Sequence, residues 1–270
     1  MKKWTALLAL SLIFILAACT KEPEPTPPIE PPKEEPTDTE ATAMEQLLAS
    51  LTLEEKVGQM MQPERSGISL EEITAYNIGS ILNAGGSHPN NDPLASLEDW
   101  HTMIDTFQGA ALESSSGIPM LYGIDAVHGN NNVYGATIFP HNINLGMIQD
   151  LNVVKDVGMA TGVEMRALGM HLNFSPAVSV AEDIRWGRTY ESMSQDVDIV
   201  SGGMRYYLEG IMPYAIPTVK HYVGDGGTYL GIDQGNSILD ESAIRERHLP
   251  PYIDAIEMNV PVIMASYHSI

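Results

Sequence analysis

Lys220 and His221 stand side by side at the end of an apolar run, and Asp225 follows within a glycine turn. Other ionisable residues fall at the ends of similar runs. They are Asp125 and His128; Glu182, Asp183, Arg185 and Arg188, with Trp186 among them; and Tyr267 with His268. A carboxylate accepts two hydrogen bonds, whereas guanidinium and ammonium groups only donate. Brought to one place, such a set could grip several hydroxyls of a neutral ligand through charge-assisted bonds, with Trp186 as a wall. Taken singly, each has a plainer reading: His128 and His141 as hydrogen-bonded scaffold, Arg185 as the partner of a nearby acid. Their recurrence at successive run ends favours a site.

Other chemistries fit less well. There is no cysteine cluster and no His-Glu-x-x-His, so no metal site is expected. No Gly-x-Gly-x-x-Gly turn follows an early strand, so no dinucleotide cofactor is expected, and no Gly-x-Ser-x-Gly is present for a serine hydrolase. The formal net charge of -21 argues against nucleic acid, whose phosphates need clustered lysine and arginine. It leaves a sugar open as ligand.

The elements that would position these residues alternate. "GIPMLYGIDAVHG" (117–129), "AIPTVKHYVGDGG" (215–227) and "NVPVIMASYH" (259–268) each place a proline ahead of a short apolar run, a location a strand tolerates. "MHLNFSPAVSVAED" (170–183) does so without the leading proline, and "NIGSILNAGG" (77–86) reads as a short buried strand. Between them, 151–169 and 194–211 read as helices. Thr52 with Glu55, and Ser69 with Glu72, are capping boxes that open two earlier helices. Strand-helix alternation implies a parallel sheet. Polar residues at the strand ends imply an α/β fold of the (β/α)8 barrel type, with about six of its eight units present. A doubly wound sheet is the second choice.

The N-terminus has its own logic. Two lysines, an apolar run and small residues lead to Leu16-Ala17-Ala18-Cys19, which resembles a bacterial lipoprotein cleavage site. Residues 1–18 are therefore expected to be a signal peptide. Cys19, the chain's single cysteine, is expected to carry the lipid, and anchored export is the expected localisation. Residues 19–42 hold seven prolines and seven carboxylates against two lysines, and read as a solvated tether to a domain at 43–270.

Three stretches carry a resemblance. "YGIDAVHGNNNVYGATIFPHNINLG" (122–146), "SPAVSVAEDIRWGRTYES" (175–192) and "KHYVGDGGT" (220–228) resemble glycoside hydrolase family 3, in its β-glucosidase and exo-β-glucanase branch. The resemblance runs from about Met44 to Ile270. It implies a retaining β-glycosidase that releases glucose from the non-reducing ends of β-linked oligosaccharides or glucosides. It implies that Asp125, Arg188, Lys220 and His221 bind the first sugar, with Tyr267 beside the nucleophile. The family's nucleophile is an aspartate in a Ser-Asp-Trp-like segment on a seventh strand, and the acid/base glutamate usually comes from a following domain. Neither has a counterpart in the 270 residues, so the resemblance implies a longer enzyme, with this portion inactive by itself. The alternatives are a non-catalytic, tethered sugar-binding lipoprotein and a β-N-acetylhexosaminidase. That second branch expects a histidine in the loop after Lys-His, and 223–228 has none.

Overall fold

The computed structural model describes residues 38–270. The signal peptide, Cys19 and tether residues 19–37 lie outside the described residues. Residues 38–42, assigned above to the tether, instead begin a helix, α1 (Asp38–Ser50). The last proline of the tether is Pro36, and acidic residues followed by Ala, Met, Glu, Gln and Leu suit a helical start.

The two capping boxes are present. Thr52 opens α2 (Leu53–Gln59) and Ser69 opens α3 (Leu70–Tyr76); in each, the hydroxyl and the glutamate three residues on satisfy each other's backbone N–H. A third box, Ser96 with Asp99, opens α4 (Leu97–Leu112). This helix turns Trp100, Ile104, Phe107 and Ala111 inward at helical spacing.

Five strands form one parallel sheet: β1 (Ser80–Asn83), β2 (Leu121–Ile124), β3 (Leu172–Asn173), β4 (Ile216–Tyr222) and β5 (Val262–Ala265). Each strand pairs with the one before it, so the order in space is the order in sequence. A doubly wound sheet must reverse direction at a switch point. The unbroken order is that of a (β/α)8 barrel, incomplete here. The count is five strands among the described residues, rather than about six. On the far side of β1 there is only a one-residue parallel bridge, Glu64 to Leu82, with the Leu82 N–H donating to the Pro63 carbonyl.

Two helices cover the middle of the sheet, α5 (Leu151–Ala167) and α6 (Val197–Ile211). Their backbones come very close. A Cβ on Gly210 would lie 2.0 Å from the Lys155 carbonyl oxygen, so only glycine fits this crossing. The core between helices and sheet includes Ile81, Tyr122, Ile124, Val154, Met204, Leu208 and Val219. A final helix, α7 (Pro250–Glu257), leads into β5, and its buried Tyr252 packs edge-on to Tyr222 of β4.

Candidate active site

β2 ends at Ile124, so the next residue, Asp125, emerges at the C-terminal rim. Its carbonyl accepts from the Asn132 side chain, which ties the following loop back under it. β4 reaches the same rim two strands away. Its neighbour there is the extended segment after β3: Lys220 N–H donates to the Pro176 carbonyl, and Val178 N–H donates to the Lys220 carbonyl. The register of β4 against β5 shifts between Lys220 and Tyr222, and the Lys220–His221 peptide is cis. Lys220 and His221 are both buried, at 4% and 8% exposure, although they are neighbours in a strand.

Four of the five sequence-derived binding residues meet here. Lys220 Nζ donates to Asp125 Oδ1 across 3.4 Å. Arg188 lies in the loop after β3, just before a short turn at Thr189–Glu191. Its Nη2 is 3.0 Å from His221 Nε2, and His221 Nδ1 is 2.8 Å from Asp225 Oδ2. A guanidinium has no acceptor. Nε2 of His221 must therefore accept, and the ring proton sits on Nδ1, donated to Asp225. The imidazole is held in one tautomer from both sides.

Sequence reasoning did not single out Glu191. It accepts from Arg188 Nε at 2.7 Å and from Nη2 at 2.8 Å, a two-pronged ion pair. Burial alone would push this carboxyl upward; the Arg188 hydrogen bonds and charge, with Lys220 and His221 behind them, hold it below the usual glutamate value. On Arg188, burial works against the charge, and Glu191, together with the charges of Asp225 and Asp233, more than offsets it, so its pKa is raised. The clue in the sequence was the three-residue spacing from Arg188 to Glu191. Glu191 and Lys220 line one narrow void with Val127, His141, Asn142 and Ala177. The cluster around Lys220 and His221 thus combines three carboxylates, Asp125, Glu191 and Asp225, with two cations, Lys220 and Arg188.

Tyr267 is not brought into this group. It follows β5 at the sheet's edge, and the residue is 87% exposed. The other rim residues take scaffold roles. His128 Nδ1 meets the Phe139 carbonyl at 2.9 Å and its ring packs at a tilt against His141; Arg185 Nε pairs with Asp183 at 2.9 Å. Trp186 is buried and its Nε1 donates to Asp233 at 3.3 Å. His268 Nδ1 lies 2.6 Å from the Ser266 hydroxyl. A cavity of about 560 Å³ lies at the opposite end of the sheet, among residues that include Leu121, His171, Pro217 and Pro261. In this architecture that end carries stability rather than chemistry. No grouping of three or more His, Cys, Asp or Glu side chains suited to a metal occurs among the described residues.

Comparison with known proteins gives the family and the fold. The family model described as the glycosyl hydrolase family 3 N-terminal domain matches residues 52–270. A lysosomal β-glucosidase of Dictyostelium discoideum is 30% identical, over 80% of this chain and 30% of its own length. A periplasmic β-glucosidase of Salmonella typhimurium is 26% identical, over 83% and 28%. Among solved structures, an exo-1,3/1,4-β-glucanase from a Pseudoalteromonas species superposes with a TM-score of 0.82 at 41% identity, over 86% of this chain and 30% of that one. The chain spans about 30% of the length of these relatives.

Proposed function

Because the chain belongs to glycosyl hydrolase family 3, we propose that its rim holds the terminal sugar ring of a β-glucoside or β-glucan in a retaining β-glucosidase-type hydrolase. The observation that carries this reading is the convergence of Asp125, Arg188, Lys220 and His221 at one end of the sheet, from three separate segments. Asp125 accepts from paired hydroxyls while Lys220 donates to one of them. Both are already oriented by their mutual bond, so less ordering is needed on binding. Arg188, locked by Glu191, presents donors beside the His221 edge. The sugar replaces solvent over this cluster and meets charged partners at each hydroxyl.

Retention requires two carboxylates roughly 5–5.5 Å apart across the scissile bond, one a nucleophile and the other acid then base. The family resemblance puts both outside the 270 residues, so the role proposed for these residues is to grip and orient the sugar. Tyr267 is kept as a contact near the nucleophile, a role its position after β5 leaves open to a partner element. The Leu16–Cys19 pattern supports export and lipid anchoring at Cys19, and the periplasmic β-glucosidase this chain resembles is compatible with export.

The test uses the protein expressed from its complete coding sequence. Aryl β-glucosides and short β-glucans are supplied, and NMR follows the anomer first released. Glucose appearing in the β configuration is expected. Release of the α anomer, or folded protein that turns over no β-glucoside, refutes the reading. Glucose binding without turnover would instead mark a tethered sugar-binding protein, and selective release of N-acetylglucosamine would mark the hexosaminidase branch.

A further inference from the structure

His248 lies outside every motif noted in the sequence, yet it is 2% exposed. It closes a π turn, Ile244–His248, in which the Leu249 N–H donates to the Ile244 carbonyl five residues back at 2.8 Å. Such turns add a residue to a helix and re-aim the side chains there. This one carries His248 toward the rim. Its Nε2 is 3.0 Å from Glu182 Oε1, which also takes Arg247 Nη1 at 2.7 Å. Burial lowers the pKa of His248, against the opposing pull of Glu182. A neutral ring with Nε2 facing a carboxylate donates from that nitrogen.

Both partners touch the turn that carries Asp225. The Glu182 N–H donates to the Gly226 carbonyl at 2.9 Å. His248 lies directly over Gly227, where an added Cβ would stand 2.9 Å from Nε2. Gly226 N–H in turn donates to Asp225 Oδ1 at 3.1 Å, leaving Oδ2 for His221. The path is continuous: His248 to Glu182, Glu182 to Gly226, Gly226 to Asp225, Asp225 to His221, His221 to Arg188.

We propose that His248 and Glu182 are positioning residues: they clasp the Asp225–Gly227 turn so that Asp225 holds His221 in the tautomer whose Nε2 accepts from Arg188. The consequence for catalysis rests on the sugar-binding reading above; the clasp itself does not. Without it, the turn relaxes, Asp225 leaves its alignment, and the His221 ring loses the fixed direction of its Nδ1 proton and of the Nε2 that accepts from Arg188.

The experiment compares His248→Leu with His248→Gln, whose amide can still donate to Glu182, in the protein from its complete coding sequence. Two readouts are taken. One is the downfield proton resonance of His221 Nδ1–H, assigned by its loss in His221→Ala. The other is kcat/KM on an aryl β-glucoside. His248→Leu is expected to lose the resonance and about tenfold in kcat/KM, the scale of one hydrogen bond to a charged group. His248→Gln should keep the resonance and stay within about threefold of the parent, because the donor is restored. If His248→Leu keeps both, or His248→Gln fails as badly as His248→Leu, the clasp is refuted. Should His248→Leu not fold, Glu182→Ala, altered at a partly exposed position, is held to the same two outcomes. If the parent turns over no glucoside, the proposed function falls, while the resonance still decides the clasp.

Discussion

Replacing Lys220 with methionine separates what the rim does for sugar from what it does for the fold. The side chain of Lys220 is 5% exposed, whereas that of its partner Asp125 is 30% exposed. The pair is therefore asymmetric. Taking an ammonium out of water carries a desolvation cost of several kcal/mol, which its partner must offset. Methionine has similar length and no charge, and the carboxylate it leaves behind can still reach solvent. Removing one partner of a buried pair is costly when it strands a buried charge, but here the charge left behind is the partly solvated carboxylate of Asp125. Lys220→Met is thus expected to change unfolding free energy by less than about 1 kcal/mol, in either direction. Asp125→Ala does the reverse: it strands the ammonium at a buried site, and a destabilisation of about 2–3 kcal/mol is expected, below the 3–5 of a fully buried pair because Asp125 is partly solvated. For catalysis the two converge. Each removes a charge-assisted contact to a sugar hydroxyl worth about 1.5–3 kcal/mol, so each should lower kcat/KM roughly 10- to 150-fold. If the contact strengthens in the transition state, kcat falls along with it. Chemical denaturation and kcat/KM on an aryl β-glucoside, measured on both variants, check this. The reasoning is refuted if Lys220→Met is the less stable of the two, or if its kcat/KM stays within about twofold of the parent.

Two further outcomes are expected. Glu191 has a folded-state pKa below its unfolded value near 4.3. Its contribution to stability is present above that unfolded value and is lost as pH falls through the folded one. Glu191→Gln should therefore be less stable than the parent at pH 6, with the gap narrowing as pH is lowered through the folded-state pKa; a gap that stays constant across that acid titration, by denaturant midpoint, would remove Glu191 as a charged partner of Arg188. At the N-terminus, mass spectrometry of membrane-associated protein should find a diacylglyceryl group on Cys19, and Cys19→Ser should release the protein from the membrane fraction. Retention of Cys19→Ser there would dismiss the anchor.

Much of the architecture was legible because it rests on local rules. The capping boxes at Thr52 and Ser69 form as their side chains dictate, and all five strands fall within the apolar runs read as strands. Pro261 directly precedes β5 and Pro217 is the second residue of β4, as their missing N–H groups favour. The rim residues Asp125, Lys220 and His221 were legible for the same reason: a polar side chain at the end of a buried strand has one place to go. Glu191 and His248 were not. Glu191 pairs with an arginine only three residues away, a local spacing that does not by itself mark a site, whereas His248 matters through a partner supplied by tertiary packing, a glutamate 66 residues away. The π turn that aims His248 has no periodic signature. Tyr267 was read from its place at a run end and from the resemblance, and its exposure follows from standing beyond β5, which among the described residues pairs on one side only.

The sequential strand order sets a timetable for synthesis. Each strand finds its partner already made, so the sheet can zip up in the direction in which the ribosome delivers it. Asp125 and Lys220 are 95 residues apart, a separation that takes roughly 5–20 s to translate. During that interval the carboxylate stands hydrated at the rim, which suits it. The ammonium arrives second, on a strand that docks only after β3 is in place, and it is buried against an acceptor that is already waiting. The residue whose desolvation is expensive is the one added last.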